Sequence, residues 1–160
     1  MLRPVRPFLW PLVLLLLTAA ATGAQPSPFE GAVERVVDGD TIHVRVDGRV
    51  ETVRYIGMNT PELRHPTRGA EPGGREARTV NRELVAGKRV HLELDAQVRD
   101  RHGRLLAYVW VDGLMVNAEL VRRGYAQVMT VPPNVRYQKL FLALQREARQ
   151  SGRGLWAAFD

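Results

Sequence analysis

The chain predicts an α+β domain, mainly β, in which a small closed barrel carries helices on its outside. Three observations predict it. Period-two apolar alternation fills residues 29–57 and returns at 90–94 and 105–111. The Asp-Gly pairs 38-39, 47-48 and 112-113 interrupt or close these runs, as tight turns do. Helical spacing appears in the middle of the chain and again towards its C-terminal end. The order is three strands, a helix, two strands and two helices, which fits a five-stranded Greek-key barrel of the OB type with three packed helices.

The first three strands form a meander. Ala32, Val33, Val36 and Val37 supply the first, Ile42, Val44 and Val46 the second, and Val50, Val53, Tyr55 and Ile56 the third. From Glu76 to Ala86 the apolar spacing changes to Ala77, Val80, Leu84, Val85, and Gly87 ends it as a helix C-cap. Val90 to Leu94 returns to strand, as does Leu105 to Val111 after the turn Asp100-Arg-His-Gly103. Val116 to Arg123 predicts a second helix, with Asn117 as its N-cap and Gly124 as its stop. Asn134 is expected to cap a third, from about Val135 to Gln150, with Tyr137, Leu140, Phe141, Leu144 and Ala148 on one apolar face. Leu155-Trp156 forms an apolar tail.

The N-terminus predicts a secretory signal peptide over residues 1–24. Arg3 and Arg6 make a basic n-region, Phe8 to Leu17 is apolar, and Thr18 to Ala24 is mostly small. The apolar run is short of the roughly 20 residues of a transmembrane helix. Cleavage is expected after Ala24, with Ala21 as the second site and an uncleaved anchor as the competing reading. Residues 25–28 then form a tether, and residues 29–158 one domain, secreted or periplasmic and without stable membrane association. There is no cysteine, which excludes disulfide stapling. The formal net charge is +6, two units of it from Arg3 and Arg6, and Lys88 and Lys139 are the only lysines. An excess of arginine suits a polyanionic partner, nucleic acid first.

The chemistry gathers around "DGDT", residues 38–41, and "RYIGMNTPE", residues 54–62. For 47-48 and 112-113 a turn is reason enough for Asp-Gly. Only the first pair adds a second acid, Asp40. In a meander the start of strand two lies beside the end of strand three, so Asp40 and Asn59 face each other at one barrel end, with Glu62 just beyond Pro61. Oxygen donors of this kind suit a hard cation such as Ca²⁺. No His–Cys spacing supports a transition metal. Arg54 and Arg104 both sit at strand ends. Two guanidiniums and a cation near a carboxylate match phosphodiester hydrolysis, where fixed positive charge stabilises the developing phosphorane.

The motifs "VVDGDT", "VRYIGMNTPE", His65-Pro66, "GREA" at 74–77, "DRHGRLLAYVWVDG" and "MVNAELVRRGYA" closely resemble the staphylococcal-type nucleases, or thermonucleases, collinearly from about Phe29 to Trp156. The resemblance implies an OB-fold, Ca²⁺-dependent phosphodiesterase that cuts DNA and RNA, single-stranded or locally melted, and a monomer is the default. It implies Asp40 and Asn59 as metal ligands, with Thr60 through its backbone carbonyl. It implies that Glu62 positions or deprotonates the attacking water, and that Arg54 and Arg104 bind the phosphate and the transition state. Asp38 either supports the site from behind or serves only the turn.

Two departures from the family pattern matter. Many relatives carry Asp where this chain has Asn59, so weaker Ca²⁺ binding is expected, and Asn59 can also be read as capping its own turn. Tyrosines that contact the nucleotide in some relatives are replaced by Met129-Thr-Val-Pro-Pro133, and His102 stands where a phenol can occur. His102 and Arg68 are the expected substrate contacts. Arg68 belongs to the loop Leu63 to Arg75, which reads equally as a basic flap and as an ordinary solvated loop. A non-catalytic OB module that binds nucleic acid is the alternative, and a partner-binding domain using Trp110 and the third helix is a third. Retention of Arg54, Glu62 and Arg104 together favours the enzyme.

Overall fold

The computed structural model describes residues 29–63 and 69–157. The expected signal peptide, the tether and Arg68 lie outside these residues.

The expected barrel is present. Strands β1 (Phe29–Val36), β2 (Thr41–Val46) and β3 (Arg49–Tyr55) form the meander. A two-residue strand β4 (Met58–Asn59) follows, then helix α1 (Gly74–Val85), β5 (Arg89–Glu93) and β6 (Leu105–Val111). The chain continues through β7 (Leu114–Met115), α2 (Val116–Arg122), β8 (Gln127–Val128), α3 (Gln138–Gln150) and a short 3₁₀ turn, Gly154–Trp156. The five long strands pair in the order β3-β2-β1-β5-β6. A parallel pairing of β3 with β6 closes the ring, with Arg54 opposite Leu106. Closure removes the free edges that an open sheet would present.

Alternation decides the core. Ile42, Val44, Val53, Leu92 and Val109 are fully buried inside the barrel. Burying each such side chain contributes about 1.5–3 kcal/mol. Asp47 and Asp112 adopt positive φ, 47° and 49°, as the first residues of their two-residue hairpin turns, whereas Asp38 and Gly39 do not. The first Asp-Gly pair is therefore a different structure from its two internal controls.

Three helix expectations need correction. Asn117 lies inside α2, not at its cap, and is fully buried. Its Oδ1 accepts from Val109 N at 2.8 Å and its Nδ2 donates to Ile56 O at 3.0 Å, so it ties the helix to the barrel wall. Asn134 caps nothing: it accepts from Gln97 N at 2.7 Å and donates to Gln97 O at 2.8 Å. The third helix accordingly starts at Gln138, and Leu140 is exposed on it while Phe141 and Ala148 are buried. Trp110 is half-buried beside Tyr137 and donates to Glu93 at 2.9 Å, which makes it part of the packing between barrel and α3.

Candidate active site

The mouth of the barrel is built where β2 starts and β3 ends. Thr41 pairs with Arg54 across the two strands, and Tyr55 N donates to Asp40 O at 2.9 Å. The turn before β2 is pinned from behind. Asn81, fully buried on α1, donates to Asp38 O at 2.9 Å and accepts from the Tyr55 hydroxyl at 2.8 Å. Gly39 packs so closely that a Cβ there would lie 2.6 Å from the Thr60 hydroxyl and 2.8 Å from Ala77.

Asp40, Arg54 and Thr60, all buried, come together with the half-buried Asn59. Asp40 Oδ2 accepts from Thr60 N at 2.9 Å, and Oδ1 accepts from the Thr41 hydroxyl at 3.0 Å. Arg54 Nη2 donates to Asn59 Oδ1 at 2.7 Å, and its Nη1 lies 2.5 Å from Asp40 Oδ2. That second contact is a buried ion pair, with the carboxylate off the line of the Nη1 hydrogens. Asn59 Nδ2 in turn donates to Thr60 O at 3.2 Å. Asp38 Oδ1 accepts from Asp40 N at 3.2 Å. Burial, reinforced by the Asp40 charge, raises the Asp38 carboxyl to about 6.

Arg54 also faces a cavity of about 450 Å³ shared with Asp100, His102, Arg104, Leu106, Met129 and Val131. Asp100 fixes Arg104 there: it accepts from Arg104 Nε at 2.7 Å and from the Arg104 and His102 amides at 3.0 and 2.9 Å. Burial would raise the Asp100 carboxyl, but these hydrogen bonds prevail and hold it below the usual carboxylate value. His102 is exposed and accepts from Arg101 Nε at 3.0 Å.

Glu62 lies apart from that cavity. It is exposed and lines a separate groove with Arg35, Asp38, Leu63 and Arg78. Its backbone is anchored both ways: its N–H donates to Glu71 Oε2 at 2.9 Å, and its carbonyl accepts from Glu71 N at 2.8 Å.

Residues 52–158 match the family model described as staphylococcal nuclease homologue. The chain is 40% identical over 124 residues to a thermonuclease of Staphylococcus intermedius, covering 78% of this chain and 74% of that one. A thermonuclease of Staphylococcus hyicus is 38% identical over 125 residues, with the same coverage. The chain belongs to the staphylococcal nuclease family. Endonuclease YncB of Bacillus subtilis (strain 168) is also similar, 40% identical over 127 residues and covered to 60% of its length.

For a member of this family, the cluster must be asked whether it suits a metal ion. Every side-chain donor facing Arg54 is an oxygen, and the guanidinium already holds a positive charge between Asp40 and Asn59. By donor type the residues fit a hard cation. By charge they fit it weakly, because Asn59 is neutral. Among the described residues no group of three or more His, Cys, Asp or Glu side chains is placed to hold a metal. Carbonyl, amide and water oxygens would have to complete a shell.

Sequence reasoning does not find Asn81, Asp100 and Gly39 as parts of a nuclease site. Asn81 is hidden because a polar residue at a buried helical position carries the same letter as one in solvent. Asp100 stands in a recognisable turn, and its acid can be paired with Arg104, four residues on. Gly39 has a visible signal, since the chain's other Asp-Gly pairs are plain hairpins.

Proposed function

We propose that this chain is a Ca²⁺-dependent phosphodiesterase that hydrolyses DNA and RNA, on single-stranded or locally melted segments, by water attack on a backbone phosphate. The coarser part is established: it is a nuclease, a phosphodiester hydrolase, by its family membership. The metal identity, the substrate form and the residue roles are our reading. One observation carries it: the Arg54 guanidinium, held at the barrel mouth by Asp40 and Asn59, lines the cavity that Arg104 shares.

Asp40, Asn59 Oδ1 and the Thr60 carbonyl would hold the cation. When bound, the ion supplies Lewis-acid polarisation of the phosphate and of a nearby water. Arg54 presents its guanidinium to a phosphate oxygen. Arg104, steadied through Nε by Asp100, keeps its terminal nitrogens for a second oxygen and for charge on the leaving group. Arginine is too weak an acid to donate its proton, so its role is electrostatic. Glu62, whose groove meets the mouth at Asp38, would take a proton from the attacking water on that side of the phosphate. Asp38 supports Asp40 from behind. His102 and Arg68 contact the substrate. The protein acts as a monomer. Residues 1–24 act as a cleaved signal peptide, and the mature domain is secreted or periplasmic. Among the described residues no helix is long and apolar enough to cross a membrane.

The test is degradation of denatured DNA with Ca²⁺, with EGTA and with Glu62→Ala. Activity is expected to vanish in EGTA and to fall by at least about 100-fold in the variant. Undiminished cutting in EGTA would remove the metal from the reading, and undiminished cutting by Glu62→Ala would remove Glu62.

A further inference from the structure

The groove that holds Glu62 does not end there. It shares Arg35 and Arg78 with a second groove that runs along the seam between β1 and α1 as far as Arg82 and Gly87. The two form one trough leading away from the barrel mouth. Three arginines line it, and a feature of the backbone puts one of them there. The β1–β2 register slips between Val33 and Arg35, so Glu34 and Arg35 are both exposed where strict alternation would bury one. Arg78 and Arg82 are four residues apart on α1, hence on one face and about 6 Å apart along the axis.

The state of these guanidiniums separates them from most others in the protein. Arg45, Arg89, Arg99, Arg104, Arg122, Arg123, Arg136 and Arg153 each pair with a carboxylate. Arg35, Arg78 and Arg82 pair with none among the described residues, and Arg78 makes only a long, 3.4 Å hydrogen bond to Val36 O. Three acids line the two grooves as well: Glu34 is engaged by Arg45, while Asp38, which accepts from Asp40 N, and Glu62 stand at the mouth end, and none of the three forms an ion pair with these arginines among the described residues. An exposed row of unpaired arginines gains little from folding; it is matched by an anion from outside.

We propose that the α1–β1 trough is a phosphate track for the nucleic-acid strand beyond the scissile bond, with Arg35, Arg78 and Arg82 each taking a backbone phosphate. This rests on the nuclease reading of the mouth and extends it to substrate length. Short substrates occupy only the mouth and the cavity, whereas long strands also lie along the trough. The contacts are to backbone, so they raise affinity without reading sequence.

The experiment uses the full chain and the variant Arg35→Gln/Arg78→Gln/Arg82→Gln. Its control, Arg49→Gln/Arg75→Gln/Arg146→Gln, removes the same charge from residues that line neither groove. Binding of a labelled 30-nucleotide single strand is read by anisotropy in EGTA, where no cutting occurs. Turnover of a dinucleotide is read with Ca²⁺. The trough variant is expected to bind the 30-mer about 10-fold or more weakly at low salt, with the slope of log affinity against log salt reduced by about 2, roughly 0.7 per phosphate. Dinucleotide turnover is expected to stay unchanged. Unaltered 30-mer binding overturns the proposal, and so does an equal loss in the control. A parallel fall in dinucleotide turnover also overturns it, by placing these arginines at the reacting phosphate. If the wild-type protein cuts neither substrate, the nuclease reading fails while the binding comparison still decides the track.

Discussion

Arg54 and Asn59 are joined by a 2.7 Å hydrogen bond from guanidinium to amide oxygen, and the same amide donates to the carbonyl of Thr60 at 3.2 Å. The neutral side chain therefore steadies the arginine at one end and occupies a candidate ligand carbonyl at the other. Asn59→Asp would replace the NH₂ by a second oxygen, release the Thr60 carbonyl and add a negative charge. The Ca²⁺ concentration for half-maximal cutting is expected to fall on the order of 10-fold, since charge count tunes oxygen-ligand sites. The rise in melting temperature at a fixed sub-saturating Ca²⁺ concentration should grow with it, because a ligand that binds only the folded state stabilises by mass action. A Ca²⁺ response unchanged in both readouts would take Asn59 out of the ligand set.

Arg104 is aimed by Asp100 through Nε, at 2.7 Å. Asp100→Asn keeps the size of the side chain but loses the charge-assisted bond. Because misplacing a transition-state contact by about 1 Å can cost on the order of 100-fold, kcat is expected to fall about 10- to 100-fold while the melting temperature changes little. Arg104→Lys should be at least as damaging, since a point charge cannot keep one donor on Asp100 and offer a fork to the phosphate. Normal kcat in Asp100→Asn would show that Arg104 orients without it.

Gly39 is where the turn of the first Asp-Gly pair touches Thr60. The methyl of Gly39→Ala would meet Thr60 at 2.6 Å and Ala77 at 2.8 Å, and Ala77 is fixed on a buried helix face. Overpacking of this kind costs about 1–3 kcal/mol, read as a lower urea midpoint. Thr60 N donates to Asp40, so the push should also disturb the proposed cation ligands, and activity at limiting Ca²⁺ should fall by more than the stability loss accounts for. Equal stability would mean that the turn can shift as a body. Gly48→Ala, in the hairpin turn of the second Asp-Gly pair, is the control: nothing lies within 4 Å of its Cβ, so its cost is backbone conformation alone and activity at limiting Ca²⁺ should be untouched.

The barrel mouth is legible in the sequence because two local rules suffice for it. Alternation fixes the strands, and a short meander turn forces Asp40 and Asn59 to the same end; the Thr41–Arg54 pairing follows from the same register. The buried asparagines are not legible. Asn81, Asn117 and Asn134 each satisfy main-chain or side-chain groups distant in sequence, 43, 61 and 37 residues away at the farthest. A single sequence carries no mark of such partners, so propensity assigns Asn117 and Asn134 to helix caps. Glu62 is placed by its distance along the chain, which fixes where its backbone lies at the mouth but not which groove its side chain enters.

Glu119 gives a pH test of stability away from the site. It is buried on α2, and its carboxylate accepts from Arg122 Nε and Nη2 at 2.8 and 2.6 Å and from Arg123 Nε at 2.6 Å. The Arg122 hydrogen bonds, aided by the one from Arg123, hold its pKa below the ordinary glutamate value. A carboxyl depressed in the folded state binds its proton more weakly there than in the unfolded chain. Its stabilisation is therefore complete above about 4.5 and is lost as the pH falls through that value towards the lower folded one. Glu119→Gln should be less stable than the wild type by about 1–2 kcal/mol at pH 7, discounted because both arginines are half exposed. The gap should narrow as urea titrations are repeated from about pH 5 down to about pH 3. A gap that stays constant over that range would mean that the pair contributes shape rather than charge, and a gap that widens on acidification would contradict the sign of the shift.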